Sequence, residues 1–239
     1  MLPTITVLRL SAWASLAALA AAPGPFLLGA RPVRRTAHLG IYSALAAGAM
    51  LGVGYALMSV GLAHDGTAAT LGAVAGVAAS YASHLWLGLG TGQQVLRPGR
   101  AVAASALHAA PEGVAIGAAM AVDLRFGLFL VGTLAVHNVW ESEVLGSLLL
   151  AHGRSRSAAG ALGVLTNVPQ VLLAVAAFAL AVDVPVAGAP LLGFGFGALT
   201  YLCLAELLPE SYRSTGRTSI AVVVSVAAGV VALLGGRIA

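Results

Sequence analysis

The chain has 239 residues, of which 59% are hydrophobic and only 8% charged, with a mean hydropathy of +0.97. No soluble domain of this length is so apolar, so the composition excludes a water-soluble enzyme and points to an integral membrane protein. The net charge of +4 and pI near 9.8 do not indicate a nucleic-acid partner, because the basic residues, all twelve of them Arg, sit between apolar runs where membrane topology explains them.

Apolar runs of about 20 residues read as helices rather than as barrel strands, which are shorter and alternate. Taken in order, the runs predict an all-α, polytopic membrane protein. Its eight transmembrane helices fall at about 10–28, 39–62, 68–90, 101–122, 126–151, 157–182, 186–208 and 219–234. Gly, Pro and charge mark each break. The breaks are too short to hold a soluble domain, so 1–239 forms a single transmembrane domain. Thirty glycines suit membrane helices that pack backbone to backbone. The single cysteine, Cys203, excludes an internal disulfide and a Cys-cluster metal site.

Odd-numbered breaks hold Arg31, Arg34, Arg35, Arg97, Arg100, Arg154, Arg156, Arg213 and Arg217, whereas the even ones hold Asp65, Asp123 and Asp183 with Arg125 alone. The positive-inside rule then puts the odd breaks in the cytoplasm and both termini outside. Residues 1–22 could pass for a signal peptide. Cleavage there would invert this charge pattern throughout, so the first segment is read as a span. The all-Arg, Ala-rich composition suggests a bacterial source and hence the bacterial inner membrane, a multi-pass cell-membrane location.

Spans four and five carry the chemistry. The sequence L-H-A-A-P-E-G occupies 107–113 and V-H-N-V-W-E-S-E occupies 136–143. Each contains H-x-x-x-E, and residues four apart lie on one helical face. His108 and Glu112 therefore point the same way, as do His137 and Glu141. Counted along antiparallel spans at about 1.5 Å per residue, all four fall near the middle of a hydrocarbon core roughly 30 Å thick. Ionisable groups at that depth are costly and ask for a partner. Two imidazoles and two carboxylates suit a borderline divalent ion such as Zn2+. Pro111 removes the hydrogen bond to the Leu107 carbonyl, which loosens the backbone beside the ligands. Gly113 and Gly117 would admit a close neighbouring helix. Glu143, two residues past Glu141, faces about 160° away and would line an exit or serve another helix interface. His84, with Ser80 and Ser83, reads as a helix-packing hydrogen-bonding residue.

The motif H-A-A-P-E-G resembles the fourth-span signature H-N-x-P-E-G of the ZIP (Zrt/Irt-like) divalent-metal transporters. H-N-V-W-E-S falls where the fifth-span signature belongs, and G-A-L-T-Y-L-C-L-A-E-L-L-P-E at 197–210 resembles the family's seventh span. The resemblance implies eight helices arranged as three, two and three, with His108, Glu112, His137 and Glu141 as the main metal site. It implies a second, adjacent site drawing on Asn138 and on Gln170 of T-N-V-P-Q, and it makes Glu206 an exit-side residue. The sequence departs from the family at that second site. Ala109 stands for the first signature Asn and Gln170 for a Glu, while Trp140 replaces a Pro, Ser142 a Gly, and Ala205 a His. Trp140 would narrow the pathway.

The function expected is inward transport of a divalent transition metal, Zn2+ first, with Fe2+, Mn2+ or Cd2+ open. The metal is substrate, no cofactor is expected, the lipid bilayer is the environment, and a homodimer is considered. A non-transporting metal-binding or sensing protein with a degenerate second site is the alternative. An intramembrane metallohydrolase is disfavoured, since such enzymes carry H-E-x-x-H and this chain has none.

Overall fold

A computed structural model describes residues 6–27, 35–87, 97–214 and 217–238. The described residues are almost all helical. The chain comprises α1 (Val7–Leu19), α2 (Gly24–Leu27), α3 (Arg35–Leu87), α4 (Pro98–Val122), α5 (Leu124–Ala151), α6 (Arg156–Thr166) and α7 (Val168–Asp183). A 3-10 turn (Pro185–Ala187), α8 (Gly188–Leu202), a π-turn (Cys203–Leu207), α9 (Leu208–Ser214) and α10 (Arg217–Ile238) complete it. Arg31, Arg34 and 91–96 of the predicted breaks lie outside the described residues, with 88–90 of the predicted third span and the side chains of Arg35 and Arg217.

Local chemistry sets the boundaries. Helix α3 has 53 residues, and at about 1.5 Å per residue it would run far past a bilayer core if straight. It leaves helical geometry at Asp65 alone (φ −156°, ψ 102°), whose Oδ1 accepts from the Ala68 amide at 2.9 Å. Asp65 thus N-caps the second arm while the first arm runs up to it. The predicted break between the second and third spans is therefore a bend of one residue. Asp123 caps α5 in the same manner through Phe126 N at 2.9 Å. The predicted sixth span is broken at Asn167. Pro169, on the first turn of α7, has no amide to donate back, and Asn167 turns its Nδ2 to the Gly163 carbonyl at 2.9 Å instead. The predicted first span is likewise interrupted, between α1 and α2. The seventh predicted break is shorter than its composition suggests, since helix continues through the π-turn to Ser214.

Among the described residues, five segments are long and apolar enough to cross a membrane: Val7–Leu27, Gly40–Leu87, Arg156–Asp183, Pro185–Arg213 and Thr218–Ile238. The bend at Asp65 divides the second of these into two arms. Helices α4 and α5 have 25 and 28 residues, long enough to cross, but their buried polar residues lower their hydropathy and they fall outside this set.

Helix α4 is the axis of the bundle, in contact with α1, α3, α5, α6, α7 and α8. Its Ala115, Ala118 and Ala119 join Met50, Leu57, Phe126, Leu130, Leu192 and Leu199 in one core cluster, and its Ile116 joins Leu10, Ala14, Leu134 and Ala174 in another. Small-xxx-small stripes bring the backbones together, as expected where packing rather than water drives helix association. Gly72 and Gly76 on the second arm of α3 lie against the carbonyls of Pro190 and Phe194 on α8, and Gly193 and Gly197 of α8 lie against Ala69 and Ala73 in return. Gly113 and Gly117 of α4 lie against the Gln170 and Ala174 carbonyls of α7. That contact brings α7, with Gln170, up to the two predicted metal-binding helices. Helix α1 is built into the core: Leu10, Ala14 and Ala17 are fully buried. Large apolar side chains such as Leu8, Trp86 and Val186 point outward at about 80% exposure, a surface made for lipid.

Candidate metal centre

His108 and Glu112 lie one turn apart on α4, and His137 and Glu141 one turn apart on α5. The antiparallel helices turn the two pairs toward each other. The imidazoles stack with ring centroids 5.7 Å apart and planes at 11°. Glu112 Oε1 lies 3.1 Å from His137 Nε2 and 3.7 Å from His108 Nε2, and Glu141 Oε2 lies 3.8 Å from His137 Nε2. Each of the four residues offers one ligand atom within 4.8 Å of all the others. His108, Glu112 and His137 are buried, and Glu141 nearly so.

The hydrogen-bond bookkeeping is distinctive. His108 Nε2, both Glu112 oxygens, His137 Nε2 and Glu141 Oε2 have no hydrogen-bond partner. Buried polar atoms are ordinarily paired, and each unpaired one carries a free-energy cost. The four residues turn one ligand atom each toward a common spot in an apolar bundle, a donor set that could hold a cation. Two nitrogens and two carboxylates match a tetrahedral divalent site.

The other predicted site residues divide. Asn138 is buried beside the cluster, but its Nδ2 donates to the Ala17 carbonyl at 2.9 Å and to Gln170 Oε1 at 3.0 Å. Asn138 and Gln170 thus meet each other, as the resemblance to a paired second site suggests, and the amides close on one another rather than on a shared space. Their outer atoms, Asn138 Oδ1 and Gln170 Nε2, are left unpartnered. Glu143 is buried away from the cluster, where Gly24 of α2 packs against the backbone from Val139 to Glu143. Glu206 sits in the π-turn, 3.9 Å from His108 Nδ1 and hydrogen-bonded to His84 Nε2. Residue His84 also bonds Tyr201 Oη at 2.9 Å through Nδ1. The packing role expected of His84 is met, and it also joins a chain that runs from Tyr201 through His84 and Glu206 to His108. Trp140 departs from expectation: it lines an apolar groove with Leu45, Val136 and Val226 on the outside of the bundle, so it does not narrow a path at the cluster. Glu210 pairs with Arg213 at 3.3 Å on the surface, an ordinary solvated carboxylate.

Ser105 was not among the residues singled out from sequence. Its Oγ donates to Glu141 Oε1 at 2.7 Å. The signal was present: Ser105, His108 and Glu112 stand at i, i+3 and i+7, one stripe of α4.

These features define a multi-pass helical membrane protein with a buried His/carboxylate cluster between two central helices. An alignment of 195 residues at 29% identity relates the chain to an Arabidopsis thaliana protein named "Putative zinc transporter", covering 76% of this chain and 31% of that protein. The chain thus spans about a third of the length of that curated relative. The match is consistent with the resemblance to the ZIP transporters drawn from the motifs. No family model matches the chain.

Proposed function

We propose that this protein is a membrane transporter that carries a divalent transition metal, Zn2+ foremost, into the cytoplasm through the cluster between α4 and α5. The observation that carries the reading is the set of unpartnered ligand atoms on His108, Glu112, His137 and Glu141. Zinc transport in the name of the Arabidopsis relative supports it. Two imidazoles disfavour hard oxygen-seeking ions such as Mg2+, while Fe2+, Mn2+ and Cd2+ remain acceptable to the same donors.

On this reading the chain is one transmembrane domain of eight spans arranged three, two and three, with α1–α2, the two arms of α3, α4, α5, α6–α7, α8–α9 and α10 as the spans. Both termini face outside a bacterial inner membrane, the substrate ion needs no resident cofactor, and the oligomer considered is a homodimer. Glu206 and His84 continue the donor path from His108 toward the cytoplasmic side. No nucleotide-binding motif of the G-x-x-x-x-G-K-[ST] type occurs in the sequence, so movement follows the metal gradient or a coupled ion. Alternating access would come from helix groups rocking about a fixed midplane site.

A second reading, a metal-binding or sensing protein without turnover, has one observation in its favour: the Asn138–Gln170 hydrogen bond closes the neighbouring position to a second ion. One assay separates the two. The chain is expressed in metal-starved cells and uptake of Zn2+, Mn2+, Fe2+ and Cd2+ is followed, with His137→Ala and Glu141→Ala as controls. Transport predicts uptake that both substitutions abolish. Uptake indifferent to both would sink the site, and binding without uptake would favour the sensor.

A further inference from the structure

The two oxygens of Glu141 are not equivalent. Oε1 accepts the Ser105 hydroxyl at 2.7 Å, and Oε2 has no partner and faces His137 at 3.8 Å. A serine hydroxyl has one proton to give. The next hydroxyl, Thr166 Oγ1 on α6, stands 3.5 Å from Ser105 Oγ but commits its own proton to the Gly163 carbonyl at 2.8 Å. Thr166 thus offers Ser105 only an acceptor, and the carboxylate, closer at 2.7 Å, takes the one Ser105 proton in preference to it. The short Ser105 contact, made to a charged acceptor, is of the stronger kind.

We propose that Ser105 is a positioning and selectivity residue that holds Glu141 as a one-oxygen ligand. With Oε1 tied to α4, only Oε2 is turned to the ion. The ion then meets few oxygens and two imidazoles, a set suited to the low coordination number of Zn2+. A carboxylate released from Ser105 can turn both oxygens inward. That adds a ligand and favours ions that take six ligands and prefer oxygen, such as Mn2+. The hydroxyl thus filters the cargo without touching it. This inference rests on the metal-site reading of the cluster, which it deepens.

The test measures displacement of bound Zn2+ by Mn2+ on the purified full-length protein, for wild type, Ser105→Ala and Ser105→Thr. Alanine is a better helix former than serine, so Ser105→Ala leaves α4 able to fold. Both metals are read on the same folded sample, so the Zn2+/Mn2+ affinity ratio is independent of yield. The expected result is a ratio lowered roughly ten- to hundredfold in Ser105→Ala, the scale of one hydrogen bond to a charged group. Ser105→Thr, which keeps the hydroxyl, stays near wild type. An unchanged ratio in Ser105→Ala, or an equal fall in Ser105→Thr, overturns the role of Ser105 and leaves the metal site standing. A wild type that binds neither ion overturns both.

Discussion

Glu112→Gln is the most informative single change, because its effects on the empty and the loaded protein have opposite signs. Glu112 has no solvent exposure and neither oxygen has a hydrogen-bond partner, while two imidazole nitrogens stand 3.1 and 3.7 Å from Oε1. In the empty site that carboxyl is a burden: when ionised, a buried carboxyl with no hydrogen bond costs several kcal/mol, against about 1–3 kcal/mol for an unsatisfied neutral amide. Glutamine has nearly the same shape. The metal-free variant should therefore unfold at the same temperature as the metal-free wild type or higher. In the loaded site the sign reverses. Removing one member of a buried charged set costs about 3–5 kcal/mol, which weakens metal binding by roughly 200- to 5,000-fold. Since a ligand at 100 times its Kd stabilises by about 2.7 kcal/mol, zinc that raises the wild-type Tm should leave the variant's unmoved at the same concentration. Thermal unfolding in detergent, with and without Zn2+, reads both effects. A variant that is less stable when empty and still gains the wild-type increment from zinc would refute the reasoning, because Glu112 would then be a structural partner rather than a ligand.

Other expectations concern the bundle around the site. Gly193→Leu should abolish folded yield, measured by size-exclusion profile, since a Cβ there would sit 2.7 Å from the Ala69 carbonyl carbon, and backbone cannot move aside as a side chain can. Cys203 is fully buried with its Sγ 3.5 Å from the Ala47 carbonyl, so it should resist maleimide in the folded protein and react at once in denaturant. Gln170→Glu keeps an acceptor for Asn138 Nδ2 and adds a charge within reach of the unpartnered Asn138 oxygen. It should raise the zinc stoichiometry above that of wild type or shift metal preference, by equilibrium dialysis. A variant indistinguishable from wild type would mean that Gln170 serves packing only.

What could be read from sequence was set by the range of the interaction. His108 with Glu112 and His137 with Glu141 are pairs four residues apart, and helical periodicity alone puts each on one face. Their meeting across two helices followed from counting depth along antiparallel spans. The contact of Gly113 and Gly117 with a neighbouring helix was equally local in origin. By contrast, His84 meets Tyr201 and Glu206 across 117 and 122 residues of chain, and no periodicity links them. The π-turn that carries Glu206 has no sequence signature that separates it from the α-helix on either side. Asp65 signalled a turn, but capping by a single residue lets helix run to it from both directions, which composition does not reveal. The break at Asn167 was legible in N-V-P, where Pro169 removes a donor, and was overridden by the apolar run around it. Trp140 shows the limit of motif comparison: it occupies a signature position, yet its side chain turns outward to a groove beside α10.

The central claim is that His108, Glu112, His137 and Glu141 together hold one metal ion. X-ray absorption at the zinc edge of the purified, zinc-loaded protein tests it most directly. The account predicts one zinc per chain with a shell of nitrogen and oxygen at about 2.0–2.2 Å, two imidazoles among them, and loss of that spectrum in His137→Ala. A sulfur ligand from Cys203, a shell without imidazole, or a spectrum that survives His137→Ala would contradict it.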